Sequence, residues 1–244
     1  MQNRLKLSKI EKHSNRKKKK GDCLYRACIF DLDGTLANTL YSIANFSNRA
    51  LQDCGYPTID PEEFRKIVGD GADTQMRRML TRVKGSFTEE ELLHLRTIYN
   101  GYYAADPTDR IQPYDGMAET LQQLHQKGIQ LAVLSNKPHA WTVSIIEKMF
   151  GDKLFRCCYG QREGIPKKPA PDGALHIAKE IGVAPVQCLY IGDTNTDMKT
   201  GAAAGMDTAG ALWGFRDRRE LEANHAVYLL EKPMDLLKIV VGGK

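Results

Sequence analysis

The sequence predicts an α/β fold: a doubly wound parallel sheet with a small helical module inserted after its first strand. Three observations predict it. Short apolar runs at 24–30, 129–134, 155–159 and 187–191 have the length of buried strands. Between them, at 116–127, 138–150, 171–181 and 196–204, apolar residues recur every three or four positions, as on one face of a helix. The stretch 58–106 carries helical signals only. Strands alternating with helices require right-handed crossovers and a parallel sheet covered on both faces.

Each element has a local reason. Leu24 to Phe30 reads as a buried strand, and Asp33-Gly34-Thr35 turns the chain. Leu40, Ile43, Ala44, Ser47, Leu51 and Cys54 then follow helical spacing, with Asn38 or Thr39 as cap and Gly55 and Pro57 as the stop. Asp60-Pro61-Glu62-Glu63 reads as a capping box with proline at the first helical position. Asp73 precedes Met76, Met79, Leu80 and Val83. Thr88-Glu89-Glu90-Glu91 opens a helix whose apolar face would be Leu92, Leu95, Tyr99 and Tyr102. A helix from about 116 ends at Gly128, and Ile129 to Leu134 is the next strand. Pro138 starts a helix to Phe150, and Phe155 to Tyr159 is a weaker strand. Pro171 to Ile181 is helical and Gln187 to Ile191 is a strand. A last helix at about 196–204 leads to the segment 206–211. The expected division is a basic tail at 1–22, an α/β core at 23–36 and 113–244, and a helical cap at 37–112.

With 42% hydrophobic and 27% charged residues in a 244-residue chain, a wholly disordered or membrane-embedded protein is excluded. The net charge of +5 divides unevenly: residues 1–22 hold nine basic and two acidic residues, the remainder 26 and 28. The basicity belongs to the tail, which reads as a solvated extension or a start set too far upstream, with no apolar core for a secretory signal. Cys23, Cys28, Cys54, Cys157, Cys158 and Cys188 form no metal-binding spacing and read as free thiols of a cytoplasmic protein.

In such a sheet ligands gather beyond the carboxyl ends of the strands. Four polar clusters fall there: Asp31 and Asp33, Ser135-Asn136-Lys137, Lys168, and Gly192-Asp193-Thr194-Asn195-Thr196-Asp197. Singly, each has an ordinary reading as a cap, a helix entry or a solvated charge. Together on one rim they mark a site. Asp31, Asp33 and Asp193 would repel one another unless a cation sat between them, and oxygen ligands without His or Cys select Mg²⁺ over zinc. Ser135, Asn136, Lys168 and backbone N–H groups at the Gly34-Thr35 turn remain as donors for an anion. A Mg²⁺ site beside an anion pocket points to a phosphoryl group.

These clusters resemble the motifs of the haloacid dehalogenase-like hydrolases. The matching pieces are Asp31-Leu32-Asp33-Gly34-Thr35-Leu36, Ser135-Asn136-Lys137, Lys168-Pro169-Ala170-Pro171-Asp172 and Gly192 to Asp197, in that order. The resemblance implies a Rossmann-like core, with the insertion at 37–112 as its cap. It implies Asp31 as nucleophile, forming an aspartyl-phosphate, and Asp33 as general acid and base. Asp31, the Asp33 carbonyl and Asp193 would hold Mg²⁺, with Asp197 ordering its water shell. Ser135, Asn136 and Gly34 would bind the phosphoryl group. Lys168 would balance the charge of nucleophile and phosphate, Lys167 being its neighbour and rival. The family usually carries aspartate at the position of Asn38, a change that capping tolerates.

The run Ile67-Val68-Gly69-Asp70-Gly71-Ala72-Asp73 through Leu80 resembles the cap of phosphoglycolate phosphatases, as does Trp213-Gly214-Phe215-Arg216. It makes Gly69, Gly71, Arg77 and Arg78 candidates for substrate selection. The implied activity is hydrolysis of small phosphate monoesters, 2-phosphoglycolate first. A pyrophosphatase of the same branch is the alternative. A sugar phosphomutase would have histidine where Ile43 stands, and a non-catalytic binding protein would have lost a nucleophile or metal ligand. The implied partner is a small-molecule phosphate ester, with no membrane and, apart from the basic tail, no nucleic acid. The chain would act as a monomer or homodimer.

Overall fold

Strand β1 (Ala27–Phe30) is apolar at every position because both of its faces are covered. Cys28 and Phe30 enter one core, Ala27 and Ile29 the other, as the two-residue period of a strand requires. The structure, a computed structural model, describes residues 24–241. The basic tail and Cys23 lie outside the described residues.

The main sheet has the order β5 (Cys157–Gln161), β4 (Gln130–Pro138), β1, β6 (Cys188–Gly192), β7 (Asp207–Ala211), β8 (Tyr228–Leu230), parallel throughout. The chain runs outward from β1 to β5, then returns to β6 on the other side. The strand order therefore reverses at β1, and a crevice opens beyond its carboxyl end. Helices α5 (Met117–Gln126), α6 (His139–Phe150) and α10 (Asp235–Val240) feed one core, with Leu121, Leu124, Ile145 and Leu236 fully buried. Helices α7 (Asp172–Glu180) and α8 (Asn195–Ala203) cover the opposite face. Helix α9 (Arg218–Ala223) packs Leu221 against Gly210 of β7.

Between β1 and α5 the chain leaves and re-enters the core through a two-stranded antiparallel ribbon, β2 (Ala37–Asn38) with β3 (Gln112–Pro113). The α-helices between are α1 (Leu40–Asp53), α2 (Phe64–Ile67), α3 (Ala72–Lys84) and α4 (Glu89–Ala105), joined by loops and with no strand among them. The Thr88–Glu91 capping box forms at the start of α4, satisfying two otherwise free N–H groups. The ring of Tyr103 stacks on Trp141 of α6, 4.7 Å between centroids, and so ties this module to the core.

Several local expectations are corrected. Asp60 caps only one tight turn, Pro61–Glu63, by accepting from the Glu62 N–H, and α2 adds a single turn. The buried face of α4 ends on Tyr103 and not Tyr102, because a period of about 3.6 carries the stripe from Tyr99 to the fourth residue on. Thr39 begins α1 without a side-chain cap bond, and Asn38 Oδ1 accepts from Leu40 N at 3.4 Å. Strand β4 continues past Leu134 to Pro138, since Gln161 of β5 pairs there again after a register shift. Ser135, Asn136 and Lys137 thus lie on extended backbone. Among the described residues five cysteines are free thiols, and no helix is long and apolar enough to cross a membrane.

Candidate active site

The turn after β1 fixes the central carboxylate. Asp31 N donates to Ile191 O at 2.9 Å, so sheet pairing extends one residue past the strand. The N–H groups of Thr35, Leu36 and Ala37 then all converge on Leu32 O. Asp31 Oδ1 accepts from Leu32 N at 2.7 Å and from Lys168 Nζ at 2.8 Å. Oδ2 has no protein donor among the described residues.

Gly34 serves this turn in a different way from the one expected. Its N–H donates to Ala37 O at 2.9 Å, and that of Thr35 to Leu32 O, so neither is available to an anion. Gly34 is needed because φ is +82° and a Cβ there would sit 2.3 Å from Asp193 Oδ2. Glycine lets the first motif and the last touch.

Asp31, Asp193 and Asp197 offer carboxylate oxygens within 4.8 Å of one another, all buried. Asp193 Oδ1 accepts from Thr35 Oγ1 at 2.9 Å, and Oδ2 from the Phe215 N–H at 2.8 Å. Both oxygens of Asp197 are engaged, Oδ1 by Lys168 Nζ at 2.7 Å and Oδ2 by Thr194 N and Oγ1. Burial, then the charge of Asp197, pushes the Asp31 carboxyl up to about 7 against the pull of Lys168. Burial and the charges of Asp197 and Asp31 likewise raise Asp193 well above the carboxylate range. With Asp33 paired to Lys137, four carboxylates face two ammonium groups. Two negative charges are left uncompensated in a buried, all-oxygen site, which suits one divalent cation.

Lys168 is 3% exposed and bridges Asp31 and Asp197. Burial alone would lower its ammonium, but Asp197 and Asp31 hold it well above its ordinary value. Lys167, by contrast, is 41% exposed and faces Asp73 at 3.6 Å. The Asn136 side chain clamps the backbone beside the buried lysine: Oδ1 accepts from Lys168 N at 2.9 Å and Nδ2 donates to Lys168 O at 3.1 Å. Oδ1 and one of the two Nδ2 N–H groups are thereby spent on positioning Lys168, while Asn136 itself lines the cleft. Ser135 Oγ accepts from Lys137 N at 3.2 Å and lines the cleft.

The helical module covers this rim. A cleft lies between Asp31, Asp33 and Ser135 on the core side and Ile43, Gly69, Gly71 and Gln75 on the module side. Gly69 and Gly71, at φ +112° and +87°, bring the turn before α3 against Thr194 and Asn136. Of the two cap arginines, Arg77 forms a bidentate pair with Glu89 on the outer surface, both N–H···O at 2.8 Å, and is remote from the cleft. Arg78 props the glycine turn from behind, donating to Ile67 O and Asp70. Trp213 to Arg216 joins the two parts. Trp213 Nε1 donates to Thr35 O, Gly214 O accepts from Arg65, and Arg216 donates to Val68 O.

Sequence reasoning missed the Phe215 N–H, since backbone donors leave no signature in side-chain identity. It also assigned no part to Lys137, although a lysine continuing an apolar strand was a signal.

The family model for haloacid dehalogenase-like hydrolase matches residues 28–211. A phosphoglycolate phosphatase of Mannheimia succiniciproducens is 31% identical over 86% of this chain and 96% of its own. One from Aquifex aeolicus is 31% identical over 88% and 96%. Among solved structures, a predicted phosphoglycolate phosphatase from Haemophilus somnus superimposes with a TM-score of 0.83 at 27% identity, covering 90% of this chain and 99% of that one.

Proposed function

The chain belongs to the haloacid dehalogenase-like hydrolases, and from that premise we propose that it is a Mg²⁺-dependent phosphatase of small phosphate monoesters, hydrolysing 2-phosphoglycolate to glycolate and phosphate in the cytoplasm. The observation that carries this reading is Asp31: a buried carboxylate with Lys168 on Oδ1, Oδ2 open, and Asp193 and Asp197 beside it.

Asp31 Oδ2 attacks phosphorus in line with the ester oxygen, forming the P–O bond of an aspartyl-phosphate as the ester P–O bond breaks. Asp33 gives a proton to the departing alkoxide, then takes one from the water that attacks phosphorus, as the Asp31 Oδ2–P bond breaks to release phosphate and restore the carboxylate. Such acid–base help is worth roughly 10²–10⁴-fold. Lys168 balances the nucleophile and the incoming phosphoryl charge. Ser135 Oγ and the Asp33 N–H, which makes no hydrogen bond among the described residues, are the donors for phosphoryl oxygens. Mg²⁺, held by Asp31, Asp193 and the Asp33 carbonyl, with Asp197 acting through coordinated water, would neutralise charge between carboxylate and phosphate. The module above the cleft excludes bulk water while the aspartyl-phosphate waits for one molecule.

The substrate rests on the names of the relatives, phosphoglycolate phosphatases 31% identical over most of the chain. Ile43 is buried and lines the cleft where a phosphomutase of this kind would have histidine, and no histidine is among the described residues that line it.

Phosphate release with Mg²⁺ from 2-phosphoglycolate, pyrophosphate, β-glucose 1-phosphate and p-nitrophenyl phosphate tests the proposal. The expected result is the highest kcat/KM for 2-phosphoglycolate, abolished in Asp31→Asn. Preference for pyrophosphate would overturn the substrate and keep the mechanism. No release from any ester by the folded protein would overturn both.

A further inference from the structure

Lys137 takes no part in the steps above, yet its ammonium is buried inside the cleft. The continuation of β4 to Pro138 carries the side chain inward, where it is 5% exposed. Nζ stands 3.0 and 3.2 Å from the two carboxylate oxygens of Asp33 and 4.4 Å from the centroid of the Tyr103 ring. Burying an ammonium is costly unless it is matched by charge, hydrogen bonds or an aromatic face. Here Asp33 accepts twice and the Tyr103 face stands beside Nζ, and no further hydrogen-bond acceptor reaches it among the described residues.

Among the described residues that line the cleft, Lys137 is the only cation. Of the neighbouring cations, Lys168 pairs with Asp31 and Asp197 and Arg78 with Asp70. Lys167 faces Asp73 at 3.6 Å and Arg216 bonds Val68 O and Glu220 with its Nη1 left unpartnered, but neither side chain lines the cleft. Beside Ile43, Val68, Tyr99 and Trp141, the cleft is lined by the neutral polar side chains of Gln75, Ser135 and Asn136, which bring no charge to meet an anion. Asp33 must lie against the ester oxygen to protonate it, so Lys137, across the same carboxyl group, faces atoms just beyond that oxygen. In 2-phosphoglycolate those atoms are one methylene and a carboxylate.

We propose that Lys137 binds the carboxylate of the substrate, selecting phosphate monoesters whose leaving group carries a second negative charge next to the ester oxygen. The inference rests on the 2-phosphoglycolate reading and names the residue that would enforce it.

Ethyl phosphate has the skeleton of 2-phosphoglycolate without the carboxylate, so the ratio of their kcat/KM values reads carboxylate recognition alone. Any loss common to both esters reports on Asp33 and cancels. Wild type should favour 2-phosphoglycolate, and Lys137→Met should cut that ratio by roughly a hundredfold, chiefly through KM. Lys137→Arg should restore part of it. An unchanged ratio in Lys137→Met, including an equal fall for both esters, overturns the inference and leaves Lys137 as a positioning residue for Asp33. A wild type without the preference overturns the substrate reading before any substitution is made, and the inference with it. A measurement on wild type alone covers variants that fail to fold. Glycolate should inhibit ethyl phosphate hydrolysis competitively at concentrations where ethylene glycol has no effect. Equal inhibition by the two would overturn carboxylate binding.

Discussion

At the scale of single residues, the site depends on side chains that hold other side chains. Asn136 uses both ends of its amide on the backbone of Lys168, and Lys168 in turn spans the two carboxylates that must stay apart. Asn136→Ala would leave a buried N–H and C=O unsatisfied, at about 1–3 kcal/mol, and would free Lys168 to drift. A shift of about 1 Å in such a group costs on the order of 10²-fold, so kcat should fall about a hundredfold. Inorganic phosphate should inhibit the variant about as well as wild type. A weakened phosphate Ki would instead give the Asn136 amide to the anion. Asn136→Asp, which keeps the acceptor for Lys168 N, should lose less.

At the scale of elements, the helical module is pinned to the core by a few polar contacts around α3 and the 213–216 loop. Asp70 is the most exposed to pH. It accepts from Thr196 Oγ1 at 2.6 Å across the junction and from Arg78 at 2.5 Å within the module. Burial on its own would raise the carboxyl, but Thr196 and Arg78 hold it below its ordinary 3.8. A depressed folded value means stability present above the ordinary value and lost as pH falls through the folded one. The melting temperature of wild type should therefore drop faster below about pH 4 than that of Asp70→Asn, and the two curves should run parallel at pH 5–7. Since the pair is partly solvated, the difference is about 1 kcal/mol or less. Parallel curves throughout would mean that Asp70 contributes nothing to the junction.

At the scale of the molecule, four motifs distant in the chain deliver four carboxylates and two ammonium groups to the crevice where the strand order reverses. The two uncompensated negative charges work against the fold until a cation joins them. Binding at a hundred times Kd should stabilise by about 2.7 kcal/mol, which for a chain of this size raises Tm by about 5–10 °C. Thermal unfolding with excess Mg²⁺ against excess chelator reads this directly. Asp193→Asn should remove most of the shift, and a shift that survives the substitution would place the ion elsewhere.

The strand–helix alternation, the inserted helices and the four polar clusters of the candidate site were legible in the sequence, because each is written in contiguous residues with a local cause. The apolar run of β1, the Thr88–Glu91 box and the aspartates after β1 and β6 needed no knowledge of their neighbours. The short C-terminal strand β8 and helices α9 and α10 were not individually legible, being too brief for a period to emerge. The commitments of polar atoms were hidden for a different reason. The inward use of the Gly34 N–H, the clamp of Asn136 on Lys168, the outward turn of Arg77 to Glu89 and the pairing of Lys137 with Asp33 all join residues through geometry that side-chain identity does not encode. Sequence by itself determined which chemical groups reach the rim of the sheet. Only the tertiary structure decided which of their donors and charges are already spent within the protein and which face the cleft, because hydrogen-bond capacity is finite and its partners are chosen by packing across the fold.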